Sequence, residues 1–251
     1  MNRIARALAI AAVLLGTATA PAASRPAASR PAQPDVCRTE IRRIPTTERV
    51  VALTFNAAWD EGGIAATLAT LRQRAAPATF FPTGQFAERH PAAVRAMAAA
   101  GHGLGSHSYS HPHFSTLTRL AMAREVWRAD AAIRRAGHAE PLPLFRFPYS
   151  ETTPQAIAEV NAFGFTDVEF TTDTKGYLGT ARGMTVDKVV ERALAALTPG
   201  EIVQMHVGND VGDGGHVLDA EALPRIIDAV RARGYRIVGL GALIRLCPQG
   251  S

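Results

Sequence analysis

The chain has 251 residues, with 27 Lys+Arg against 22 Asp+Glu for a formal net charge of +5, and 47% of its residues are hydrophobic. That apolar share with so little charge excludes a disordered chain, and two cysteines exclude both a disulfide-dense miniature scaffold and a four-cysteine zinc module. The length is ample for one sizeable core.

In chain order, residues 1–23 predict a secretory signal. Arg3 and Arg6 lead, a short apolar run follows over 7–16, and small residues surround Ala18 to Ala23. The run falls far below the ~20 residues that span a bilayer, and no later segment approaches such a span. An uncleaved anchor is the alternative. Residues 24–44 form a spacer and lead-in that repeats Ser-Arg-Pro-Ala, and the folded domain is expected over 45–247. Without Arg3 and Arg6 the net charge falls from +5 to about +3, and nothing in the chain points to nucleic acid. Cys37 opens the folded region and Cys247 nearly closes it. Lone cysteines in an oxidising compartment pair, and domain ends often lie close, so a Cys37–Cys247 disulfide is expected, with two free buried thiols as the alternative.

Past residue 48 short β-rich runs alternate with longer helical ones. Strands are predicted over 49–55, 78–84, 103–109, 144–149, 165–173, 201–207 and 235–240, and helices over 63–75, 88–100, 116–136, 154–163, 185–197 and 219–233. Gly101, Gly137 and Gly234 read as helix-ending glycines, and Thr153-Pro154 as a cap with proline in the first turn. The alternation implies a mostly parallel sheet, either an open doubly wound one or a barrel. Polar residues collect at strand ends: Asn56, His107, Arg146, Tyr149, Asp173 and His206. Contributions from five strands favour a closed or nearly closed barrel with its site on the carboxyl rim.

His107 and His111 stand four apart, a spacing that brings two imidazoles to one metal ion if the segment is a helical turn; the alternative is a pair of exposed loop histidines. His113 should point elsewhere. Arg146 ends an apolar run, where a buried guanidinium needs a carboxylate partner, and Pro148 fixes the backbone beyond it. His206 closes another apolar run, suited to a general acid or to a core histidine satisfied by backbone.

Together Thr54-Phe55-Asn56, His107-Ser-Tyr-Ser-His111, Arg146-Phe-Pro-Tyr149, Phe170-Thr-Thr-Asp173 and Met205-His206, in this order on successive strands, resemble the polysaccharide deacetylase family, also called NodB-homology or carbohydrate esterase family 4. The resemblance spans about 45–246 and implies an α/β fold, a distorted, incomplete (β/α)7 barrel. It implies a divalent metal, zinc first, and hydrolytic removal of acetyl groups from an N-acetylated amino-sugar polymer such as peptidoglycan or chitin. By resemblance His107 and His111 are metal ligands, Arg146 holds the catalytic base, Tyr149 offers its backbone N–H to the oxyanion, His206 is the general acid and Asp173 orients it. Asn56, Trp59, Pro148, Tyr149 and Tyr177 are the candidate substrate-binding residues.

The first motif departs from the family's Thr-Phe-Asp-Asp-Gly. Asn56 stands where the base is expected and Ala57 where a ligand is expected; Gln204 stands where many members have Leu. Asp60 is the candidate replacement, as metal ligand or base and as partner of Arg146. The expected protein is thus an exported or cell-envelope, monomeric, metal-dependent polysaccharide deacetylase. An O-acetyl glycan esterase and a catalytically impaired glycan-binding homologue are the alternatives.

Overall fold

The computed structural model describes residues 40–209 and 216–243. Cys37, Cys247 and the signal segment lie outside the described residues. β1 (Glu40–Ile41) pairs in parallel with β6 (Thr166–Val168), and Ile41 and Ile44 are buried. The folded region therefore takes in residues that the sequence assigns to the lead-in.

At the centre lies β2 (Val50–Ala57), buried along its whole length. One edge pairs in parallel with β8 (Glu201–His206). The other edge is shared by β3 (Thr79–Pro82) towards its end and β9 (Arg236–Val238) towards its start. β4 (Gly103–Leu104) extends the sheet beyond β3, and β7 (Thr172–Asp173) extends it beyond β8. A second sheet has the order β1-β6-β5, with β5 at Leu144–Phe145. A single parallel bridge, Ser106 to Phe145, joins the two sheets on one side. On the other side the chain itself changes sheets. The predicted strand 165–173 splits because the Glu169 N–H donates to Ile41 O and the Thr171 N–H to Ile202 O. These two seams leave the barrel incomplete, as expected.

Strand alternation sorts β2 into two faces. Val50 and Ala52 pack inside the barrel with Phe81, Leu144, Val168 and Ile202. Val51, Leu53, Phe55 and Ala57 pack outward with the helices. Those helices are α1 (Ile64–Gln73), α2 (Gly84–Arg89), α3 (Pro91–Ala99), α4 (Arg119–Gly137), α6 (Val186–Ala195) and α7 (Leu218–Ala232), whereas α5 (Pro154–Ala162) packs in a separate cluster with Phe145, Phe147 and Phe165, and Leu240 of α8 (Leu240–Leu243) packs with the inside residues. The single helix expected over 88–100 is two helices: Pro91 has no N–H to continue the first, and starts the second instead. Thr153 caps α5 by accepting the Ala156 N–H, as the sequence suggests. Gly101 and Gly234 take left-handed φ of 80° and 76°, but Gly137 stays helical and His138 makes the left-handed turn.

Candidate active site

β2 and β8 end side by side, with Asn56 opposite His206. Beyond their ends lies a cavity of about 240 Å³, lined among others by Asn56, Trp59, Asp60, His107, His111, Tyr149, Asp173, Tyr177 and His206. Of the residues singled out for the site, Pro148 is buried beneath the rim and Arg146 beneath the floor.

His107 and His111 do not sit on a helical turn. The loop takes left-handed φ at Ser108 (65°) and His111 (60°), and that reversal brings the two Nε2 atoms to 3.2 Å. Glu125 of α4 holds the loop, accepting from the N–H groups of Tyr109 (2.9 Å) and Ser110 (2.8 Å) and from the Ser110 hydroxyl (2.8 Å). His107 Nδ1 lies 2.8 Å from Arg146 O; as the donor there it leaves its Nε2 lone pair free. Burial lowers both imidazoles, His107 well below its ordinary value and His111 to about 4, so both are neutral at physiological pH.

Arg146 is fully buried, and burial pushes its guanidinium down to about 10, still charged at neutral pH. It donates to Asn56 Oδ1 (3.0 Å), Val168 O (2.8 Å) and Glu169 O (3.2 Å), and its guanidinium carbon stacks 4.2 Å from the centre of the Phe81 ring. Asn56 in turn donates from Nδ2 to Gln204 Oε1 at 3.1 Å. The chain Arg146–Asn56–Gln204 satisfies both ends of the amide, which accounts for Gln204 beside Asn56. Negative charge for Arg146 comes from below: Asp167 and Glu169 are also fully buried. Burial raises both carboxyls, Asp167 well above the usual range, while Arg146 and the Phe147 N–H draw Glu169 back down.

Asp60 is therefore not the partner of Arg146. Its Oδ1 accepts the Gly62 N–H at 2.9 Å in a local turn, though it does line the cavity. Ala57 also needs correction: it points outward into the helix-facing core, and Ala58 is the alanine that lines the cavity. Strand phase decides this, because β2 keeps its alternation through Ala57.

On the opposite wall Asp173 does not orient His206. Asp173 Oδ1 accepts the Lys175 N–H at 2.9 Å. The carboxylate beside His206 is Asp219, in the first turn of α7: its Oδ2 accepts the His206 backbone N–H at 2.8 Å and lies 3.7 Å from Nδ1. The only trace of this in the sequence is an acidic residue at a helix start, soon after the histidine strand. Aromatic walls complete the rim. Tyr177 lies with its ring centre 4.5 Å from that of His206, Trp59 meets His111 edge-on at 5.6 Å, and Tyr149, with a left-handed backbone (φ 58°), stacks on His113 at 4.1 Å.

The residues present do not fit a complete metal site. Open catalytic zinc sites use three protein ligands. Here two imidazole nitrogens converge, and among the described residues no three His, Cys, Asp or Glu side chains form a set that could hold an ion.

An incomplete parallel α/β barrel whose carboxyl rim carries three histidines has the architecture of a barrel hydrolase. Comparison with known proteins narrows this class: the polysaccharide deacetylase family profile matches residues 43–168, and the chain belongs to that family. It is 32% identical to a chitooligosaccharide deacetylase of Bradyrhizobium sp. (strain ANU 289), over 75% of this chain and 88% of that protein. It is 29% identical to a peptidoglycan-N-acetylglucosamine deacetylase of Bacillus cereus, over 80% of this chain and 70% of the relative. In fold it matches a solved pseudoenzyme of carbohydrate esterase family 4 from Bacillus anthracis, with a TM-score of 0.73 and 23% identity over 83% of this chain and 70% of that one.

Proposed function

We propose that this protein removes acetyl groups from an N-acetylated amino-sugar glycan, with strong leaving-group protonation and weak activation of water. The observation that carries the reading is that His206, with a buried carboxylate behind it, shares one aromatic-walled cavity with the His107–His111 pair. The cavity of about 240 Å³ has room for an acetamido group, and Trp59, Tyr149 and Tyr177 give its rim the aromatic surface that sugar rings pack against. Hydrolysis adds water to the acetamide carbonyl carbon, and the proton that the water loses passes to bulk solvent. The C–N bond then breaks with its electron pair going to nitrogen, and His206, as imidazolium, gives that nitrogen its proton. The products are acetate and a free amine.

Water activation is the weak side. Asn56 cannot take a proton at neutral pH, and His111, lowered to about 4, is a poor base. A missing general base typically costs ~10²–10⁴ in rate. Zinc, expected from the resemblance, enters this proposal only as a dissociable addition to the two imidazoles, and no step depends on it. The arginine-led signal segment supports export, with a cell-wall glycan as substrate. Among the described residues no helix is long and apolar enough to cross a membrane.

A second reading, glycan binding without turnover, is favoured by the Arg146–Asn56–Gln204 chain, which fills the place of the base with a satisfied amide. One experiment separates the two: acetate release from chito-oligosaccharides, with and without added Zn²⁺, alongside calorimetric binding of the same oligomers. Slow release that falls ~10²–10⁴-fold in His206→Ala supports the deacetylase. Binding with no release in any condition leaves only the second reading.

A further inference from the structure

The wall formed by β8 and α7 holds a buried carboxylate outside the motifs that define the site. We propose that Asp219 is the positioning residue of His206: it sets the tautomer and orientation of the imidazole and supplies the negative charge that the protonated ring requires. The proposal rests on the acid role given to His206 above, and its test includes a readout that does not require turnover.

Asp219 is wholly buried, in the first turn of α7. A carboxylate there is favoured by the free N–H groups and dipole of the helix start. Both of its oxygens are engaged. Oδ1 lies 2.6 Å from the Thr174 hydroxyl, and Oδ2 accepts the His206 backbone N–H at 2.8 Å. This second bond ties the carboxylate to the strand end that carries the imidazole, so ring and acid keep a constant separation. His206 Nδ1, 3.7 Å from Oδ2, is buried and has no hydrogen-bond partner. A buried N–H left unpaired is costly, and a modest rotation of the ring brings Nδ1–H onto Oδ2. With Nδ1 so occupied, Nε2 is the nitrogen left to hold and release the proton, the geometry that a general acid needs.

The seat for this carboxylate is made by a glycine. A Cβ on Gly176 would lie 2.5 Å from Asp219 Oδ1, so a larger residue at 176 would displace the acid. The other charged or titratable groups around His206 are bonded elsewhere or carry no negative charge. Asp173 on β7 is engaged by the Lys175 N–H, and Asp60 on the rim by the Gly62 N–H. Tyr177 presents its ring, and His107 and His111 line the same cavity as neutral imidazoles.

The test uses the full chain with Asp219→Asn, Thr174→Val and Gly176→Ala. The first readout is the ¹⁵N spectrum of the histidine ring nitrogens. The wild type should show His206 as a single Nδ1–H tautomer in its neutral form, Asp219→Asn a tautomer mixture, and Thr174→Val an intermediate pattern. The second readout is acetate release: kcat falls about tenfold or more in Asp219→Asn with KM little changed, and the basic limb of its pH profile moves to lower pH. Gly176→Ala should reproduce the tautomer mixture while Asp219 itself is intact. Should Asp219→Asn not fold, Thr174→Val and Gly176→Ala decide the matter by the same spectrum. An unchanged tautomer in every folded variant overturns the proposal. A wild type with no turnover but with the expected spectra overturns the deacetylase reading and leaves the positioning role standing.

Discussion

The two walls of the cavity differ in the chemistry they present. The wall at the end of β2 has an amide where the resemblance implies a carboxylate base, and the chain Arg146–Asn56–Gln204 satisfies both ends of that amide. The wall at the end of β8 keeps a histidine with a buried carboxylate behind it. On the proposed reading, the first wall offers no group to accept a proton, whereas the second offers one to donate it. A site of this kind can retain its shape and its affinity for a glycan while losing most of its power to activate water.

The contrast can be broken or sharpened by substitution. The largest expected effect comes from writing a carboxylate into the first wall. Asn56→Asp places an oxygen where Arg146 already donates at 3.0 Å, and acetate release should rise by up to ~10²-fold. No gain would mean that the missing base does not limit the rate. By contrast, Ala57→Asp should destabilise the fold by about 3 kcal/mol or more, because the side chain enters the apolar layer beneath the helices. Urea denaturation measures that cost. Ala58→Asp, which faces the cavity, should be tolerated.

A smaller effect tests the loop that joins the walls. Glu125→Ala removes the acceptor of three hydrogen bonds at Tyr109 and Ser110, and should cost about 2 kcal/mol. It should also broaden the NMR signals of His111, and sharp signals would show that the loop holds itself. The smallest effect lies far from the cavity. Glu201, at the start of β8, is buried, and burial pushes its carboxyl up to about 6 against 4.5 ordinarily. Since the folded state binds the proton more tightly, the contribution of this group is fully present below pH 4.5 and is lost as pH rises through about 6. Glu201→Gln should therefore stabilise the protein by about 1 kcal/mol at pH 7 and leave it unchanged below pH 4.5. Thermal melts at the two pH values check this, and equal effects at both would contradict it.

Much of this architecture is legible in the sequence, and the gaps have physical causes. The apolar runs of β2 and β8 mark strands buried on both faces, and the polar residues at their ends mark the rim. The break at Pro91 follows from a missing N–H and could have been read. The split of 165–173 could not, because it depends on which neighbouring strand accepts each N–H. Ala57 and Ala58 are indistinguishable by type, and only the phase of the strand separates them. Asp219 is not legible for a related reason: it meets the His206 backbone from another element, so no motif spacing carries it, whereas Asp173 stands at a strand end where a carboxylate is expected.

Arg146 has a consequence of another kind. Its guanidinium is buried with hydrogen bonds to Asn56 Oδ1, Val168 O and Glu169 O, so the amide at position 56 already satisfies it without an acid there. Codons for Asn and Asp differ only in their first base. One nucleotide change therefore separates this amide from a carboxylate in the same hydrogen-bonding position.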